Sequence, residues 1–198
     1  MRRTVLVTLA AVTLAATAWA ARAANGPPDP PAQPVHQHGA ATAPAAAGGG
    51  ELAAQLARAR VATAKYATDL DRAKADGYQI ITRMIPDMGW HYLNPTIAGF
   101  QVTRPHILVY QRHGHRWQLA ALEWVFPERP ATPPLPGASY GSFGAACHYR
   151  DGTFVFDKDE QACPRRSPVS GARFSFWHPE LVTLHVWLWY HNPDGLYS

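Results

Sequence analysis

Glu123 stands between Ala121 and Val125, a lone carboxylate on an otherwise apolar face of the segment Arg116 to Phe126. Burying such a group is costly unless a partner compensates its charge. His185 is the nearest candidate partner in kind, set between Thr183 and Trp187 in the apolar run Leu181 to Tyr190. His91 is a third polar group among aromatics, in Met88-Gly89-Trp90-His91-Tyr92-Leu93-Asn94-Pro95. Two imidazoles and one carboxylate make an open ligand set for Zn²⁺ or another divalent cation, with His91 and His185 giving nitrogen and Glu123 oxygen. The same groups suit acid–base chemistry, with Glu123 as general base and a histidine as acid or metal ligand. They would equally satisfy one another as a hydrogen-bonded polar core. Aromatic walls with a few polar groups are typical of pockets, so Trp90, Trp187 and Trp189 are expected to line the site and Asn94 to join it.

Other motifs carry less. His36-Gln37-His38 could hold copper or zinc weakly, but it sits in a Pro-, Ala- and Gly-rich stretch and reads as two solvated histidines. His113-Gly114-His115 reads as a hairpin tip with exposed imidazoles. Gly137-Ala138-Ser139-Tyr140-Gly141 has the spacing of a nucleophile elbow, which works only on a strand-to-helix turn. A proline run precedes it and no helical pattern follows. Asp157-Lys158-Asp159-Glu160 lacks the ligand spacing of a calcium loop and reads as a solvated acidic turn. No phosphate-cradling loop or dinucleotide fingerprint is present.

The elements that must position these groups follow from periodicity. Leu52, Leu56, Ala59, Thr63, Tyr66, Leu70 and Ala73 recur at steps of three and four, predicting one long helix over 51–76 capped by Gly77. Beyond it the period becomes two, predicting strands over 106–112 and 116–126 joined through His113-Gly114-His115. In the second strand Gln118, Ala120, Leu122, Trp124 and Phe126 form one face, and Leu119, Ala121, Glu123 and Val125 the other. A strand apolar on both faces belongs inside a covered sheet. The stretch 127–144 reads as irregular, 147–156 as a small hairpin turning at Asp151-Gly152, and 181–190 as the last strand. One helix followed by strands, without alternation, implies a single α+β domain over 51–198, a long N-terminal helix packed on a mainly antiparallel sheet.

The ends bear on compartment. Met1-Arg2-Arg3 and the apolar run Val5 to Ala18, followed by small-x-small sites at Ala18-Trp19-Ala20 and Ala21-Arg22-Ala23, have the form of a signal peptide over 1–23. The apolar run is shorter than the ~20 residues a bilayer requires, so no stable span is expected after processing. Arg2-Arg3 followed by Thr4-Val5-Leu6 is a poor match to the twin-arginine signal, so ordinary export is expected. Residues 24–50 have little to bury and read as a disordered tether. The whole chain carries 18 basic and 14 acidic side chains. Losing Arg2, Arg3 and Arg22 nearly balances them, and no basic stripe remains for nucleic acid. Cys147 and Cys163, an even pair in an exported chain, are expected to form a disulfide in the periplasm or outside the cell.

Three segments together resemble an uncharacterised family of exported bacterial proteins: Met88 to Pro95, Leu122-Glu123-Trp124-Val125, and Leu184-His185-Val186-Trp187-Leu188-Trp189 with Asn192-Pro193-Asp194-Gly195-Leu196. The resemblance runs from about Arg60 to the C-terminus and is weakest in the Pro-rich middle and around the cysteines. It implies that the three segments travel together, and that the pattern continues beyond the point where this chain stops. It brings no activity with it. The residues themselves lead to an exported small-ligand or metal-binding domain anchored by His91, Glu123 and His185. A periplasmic enzyme using Glu123 and His185, and a structural envelope protein without a site, are the alternatives.

Overall fold

The apolar stripe from Leu52 to Ala73 needs a sheet to pack on, and in the computed structural model, which describes residues 37–38 and 49–198, it has one. The described residues belong to one unit, Pro34–Ser198. The stripe is divided between helix α1 (Gly49–Thr63), which tightens into a 3₁₀ turn at Ala64–Tyr66, and helix α2 (Leu70–Ala75). The single long helix expected from periodicity is therefore broken. Asp69 caps α2 by accepting from the Arg72 N–H (2.8 Å), and the Ala67 carbonyl accepts from Leu119 N–H of the sheet (2.8 Å). Propensity favours continuing; a tertiary hydrogen bond and a side-chain cap stop it. The end of α2 is as expected. Gly77, at a φ of 100°, donates to the Lys74 carbonyl while Tyr78 N–H reaches back to that of Ala73 (both 3.0 Å), the paired bonds of a left-handed helix cap.

Among the described residues there are ten strands, numbered in chain order. They are β1 (Gln37–His38), β2 (Gln79–Ile85), β3 (Gly89–Leu93), β4 (Ile107–His113), β5 (Arg116–Phe126), β6 (Gly141–Phe143), β7 (Ala146–Tyr149), β8 (Phe154–Phe156), β9 (Phe174–His178) and β10 (Leu181–Val186). Seven form an antiparallel sheet in the order β1-β6-β10-β5-β4-β3-β2, and β8-β7-β9 form a second. The β4–β5 hairpin lies where periodicity put it, and the β7–β8 hairpin where the Asp151-Gly152 turn put it. Strands β2, β3, β6 and β9 are too short or too mixed in polarity to register as alternating runs, and sequence reasoning missed them. The last strand is shorter than expected. After Val186 the chain turns, Trp187 N–H bonding to the Leu196 carbonyl and Trp189 and Tyr190 N–H to that of Ala120.

Simple alternation also fails within β5. Val109 faces Ala121, but Tyr110 faces Leu119, so Ala120 is an extra residue in the ladder. Such a bulge leaves backbone groups to be satisfied elsewhere. Leu119 N–H goes to the helical turn at Ala67, and the Ala120 carbonyl accepts from the turn after β10. The bulge moves Leu119 onto the helix-covered face beside Leu122 and Trp124, whereas Ala120, Ala121 and Val125 pack on the other.

The helix-covered face holds the main core, including Tyr66, Leu70, Tyr92, Tyr110, Trp124 and Leu184. Over part of the opposite face lies the small sheet, joined through Arg83 N–H to the Gly152 carbonyl (2.7 Å) and through His148 to the Ile81 carbonyl (2.8 Å). A Cys147–Cys163 disulfide ties β7 to the loop after β8. Among the described residues no helix is long and apolar enough to cross a membrane. The expected signal peptide over 1–23, His36, the side chain of His38 and most of the 24–50 stretch lie outside the described residues.

Strand β3, which carries His91, is set by a tight entry. Gly89 has a φ of 133°, and a Cβ there would stand 2.3 Å from the Tyr110 carbonyl oxygen. Replacing Gly89 by alanine therefore strains the backbone and pushes β3 off β4. A loss of at least ~2 kcal/mol is expected in chemical denaturation; an unchanged midpoint would show that β3 is not held this way.

Candidate metal centre

Register brings the three polar groups together. Glu123 on β5 pairs directly with His185 on β10 and, on its other side, with Ile107 on β4. His91 on β3 pairs with Val109, two residues along β4. Directly paired residues point to the same face, so the groups share the face opposite the helices. His91 is a strand farther from Glu123 than His185 is. It reaches across β4 all the same, its Nε2 lying 3.8 Å from Glu123 Oε2. One ligand atom from each of His91, Glu123 and His185 lies within 4.8 Å of the others. All three residues are only 1% exposed.

Each group is held from behind. His91 Nδ1 is 2.7 Å from Thr82 Oγ1, which also accepts from the His91 backbone N–H (3.3 Å). Thr82 is buried on β2 directly opposite His91. The hydroxyl can either donate to Nδ1 or accept from it. In the second state Nε2 offers a lone pair toward Glu123, the arrangement by which an outer hydrogen bond orients a metal-binding imidazole. The His185 ring packs edge-on to Trp187 at 5.1 Å, and Trp187 is fixed by its indole N–H to the Ser198 carbonyl (2.6 Å). Glu123 Oε2 accepts no hydrogen bond among the described residues. Burial pushes its carboxyl up to about 8, the consequence of removing a carboxylate from water.

The face opens on a hollow of about 150 Å³ between the two sheets. His91, Glu123, Thr183 and Phe143 border it from the large sheet; Phe176, His148 and His178 close it from the small one. The aromatic wall is thus phenylalanine and imidazole; His185 and Trp187, expected on the wall, pack against each other and are not among the residues that line the hollow. Trp90 and Trp189 lie on the opposite, helix-covered face. Trp90 packs edge-on to Trp117 at 5.0 Å. Trp189 lies under the Arg60 guanidinium and donates to Thr63 Oγ1. The two do not line the hollow because β3 places neighbours on opposite faces and β10 ends before Trp189. Asn94 is also elsewhere. It donates to the Asp76 carbonyl and accepts from Thr96, fixing the turn after β3.

The remaining sequence motifs resolve simply. His113 and His115 are exposed at the β4–β5 turn. Ser139 precedes a strand, β6, and not a helix. Asp157 and Asp159 accept from backbone N–H groups two residues on, forming turns. His106 uses both ring nitrogens structurally, on the Gly99 carbonyl and the Val125 N–H. Sequence reasoning overlooked His148 and His178. The only available signal was a histidine beside Cys147 and another closing the alternating run Phe174-Ser175-Phe176-Trp177-His178. No family model matches the chain, and no curated protein or solved structure does either.

Burial makes stability depend on pH with a definite sign. Glu123 rises from 4.5 to about 8 on folding, so the unfolded chain loses this proton first and stability falls as pH climbs through that window. His148 drops from 6.5 to about 4; its contribution grows as pH rises toward 6.5 and is constant above. Of these two groups, Glu123 is the one that titrates from pH 6.5 to 8. With a chelator present, the unfolding free energy from chemical denaturation should fall over that interval, by up to about 1.4 kcal/mol per pH unit, and Glu123→Gln should flatten it. Equal slopes in the two proteins would contradict the assignment.

Proposed function

We propose that the chain is an exported metal-binding domain in which His91, His185 and Glu123 hold a divalent cation of the Zn²⁺ type. The observation that carries this reading is the convergence of three ligand-type side chains from β3, β5 and β10 on a buried, otherwise apolar face. A buried carboxyl whose Oε2 accepts no hydrogen bond among the described residues must be neutralised, by a proton or by a cation. Ligand atoms of a tetrahedral zinc site stand about 3.3 Å apart, so the three must draw in by about an ångström, a side-chain adjustment. Three protein ligands leave a coordination position open toward the hollow, where a small ligand or water would sit. Thr82 orients His91. Export rests on the leader-like N-terminus and fits the disulfide.

A second reading shares the site. A carboxyl pushed up to about 8 is poised to take and return protons near neutrality, as a general acid or base must be. In that case Glu123 would act on a substrate in the hollow, with His185 as its partner across the strand pair. Metal binding is preferred because two imidazoles and a carboxylate meet at one point.

Zinc titration by calorimetry separates the readings. The intact chain should bind Zn²⁺ and release a proton on doing so, since the bound carboxylate must be ionised. Glu123→Gln and His185→Ala should each weaken binding at this site by a hundredfold or more, and Thr82→Val by about ten- to a hundredfold. Unchanged affinity in both ligand variants, with their fold intact, would rule the metal reading out.

A further inference from the structure

On the far wall of the hollow, two imidazoles meet in an arrangement that neutral histidines cannot satisfy. His148 on β7 and His178 at the end of β9 are diagonal neighbours on one face of the small sheet, since Ala146 pairs with His178 and His148 with Phe176. His148 Nδ1 lies 2.8 Å from the Ile81 carbonyl oxygen, and His178 Nδ1 lies 2.6 Å from that of Pro179. A carbonyl oxygen only accepts, so both Nδ1 atoms carry hydrogen. In neutral rings each Nε2 then presents a lone pair, and the two Nε2 atoms are 3.0 Å apart. Two lone pairs facing each other at that distance repel. Something electron-poor must stand between or beside them.

We propose that Nε2 of His148 and Nε2 of His178 are two ligands of a second transition-metal site, on the opposite side of the hollow from His91, Glu123 and His185. Both imidazoles already have the feature typical of metal-bound histidine, the other ring N–H given to a backbone carbonyl that fixes tautomer and ring orientation. The spacing also fits. With metal–nitrogen bonds of about 2.05 Å, two cis nitrogens stand about 2.9 Å apart at a right angle and about 3.3 Å apart in a tetrahedron, and 3.0 Å falls between. The surroundings hold the rings still. Phe176 stacks on His148 at 4.7 Å and 6°, and Phe143 lies 5.5 Å from His178. Thr183 supplies an independent polar group. Its hydroxyl borders the same hollow, is 1% exposed and has no hydrogen-bond partner among the described residues, so it is placed to accept from a metal-bound water.

The rival occupant is a proton shared between the two Nε2 atoms. It would leave a full charge among Phe143, Phe154 and Phe176, and burial holds both histidines below their ordinary range, His148 at about 4. A metal ion gains ligand bonds that a shared proton does not.

The test is a Zn²⁺ titration of the intact chain followed by nitrogen NMR of the histidine side chains. Nε2 of His148 and of His178 should shift together and saturate at one equivalent for this site. His178→Ala, a half-buried position, should lower bound zinc by one equivalent and remove the His148 response. Unaltered His106 signals would show that the fold persists. The readout is independent of the first site: if His91 and His185 stay silent while His148 and His178 respond, this inference stands and the earlier reading falls. His148 and His178 unmoved by zinc, or sharing a proton that zinc does not displace, would overturn it.

Discussion

A carboxylate sealed inside the protein is the constraint around which the rest is arranged. Glu123 lies in the middle of the longest strand, paired on one side with Ile107 and on the other with His185. It is only 1% exposed, and the covered face offers its Oε2 no hydrogen bond among the described residues. The free energy of such a group is lowered only by neutralising it, through a proton or through a cation. Its sequence neighbours Leu122 and Trp124 lie in the main core, so a one-residue slip of β5 would turn the carboxylate into that core and expose the core residues. The register is thereby specified by the cost of the alternative.

The two faces of the sheet divide the work. One is covered by α1 and α2 and is filled with large apolar side chains, as befits a stabilising core. The other is partly roofed by three short strands, cross-linked by the disulfide, and encloses a small hollow. The β5 bulge joins the two arrangements. Its freed backbone groups anchor the helical break at Ala67 and the turn that follows His185, so the helix pair and the end of β10 are referenced to one point. Movement of either would be felt at the site.

Much of this was visible in the residues. The limits of β5 follow from alternation, and a single Glu on an apolar face announces itself. His185 is legible for the same reason, and the helical stripe predicted the buried face even where the helix itself breaks. The rest depends on contacts distant in sequence. His91 reaches Glu123 only because the sheet carries it over β4, which no spacing encodes. Trp90 and Trp189 look like pocket walls in sequence but fall on the helix side, one by alternation and the other because β10 stops at Val186. In the small sheet the Asp151-Gly152 turn betrays the β7–β8 hairpin, but β9 and the packing of these strands of three to five residues on the large sheet are not legible from periodicity. Its two histidines, His148 and His178, were overlooked.

The central claim concerns one point in space, where three side chains from three strands would share an ion. A crystal grown with zinc and measured at the zinc absorption edge reads that point directly. The account predicts an anomalous peak about 2.0–2.2 Å from Nε2 of His91, a ring nitrogen of His185 and a carboxylate oxygen of Glu123. A map with no peak there, and Glu123 lying protonated between the two imidazoles, would contradict it.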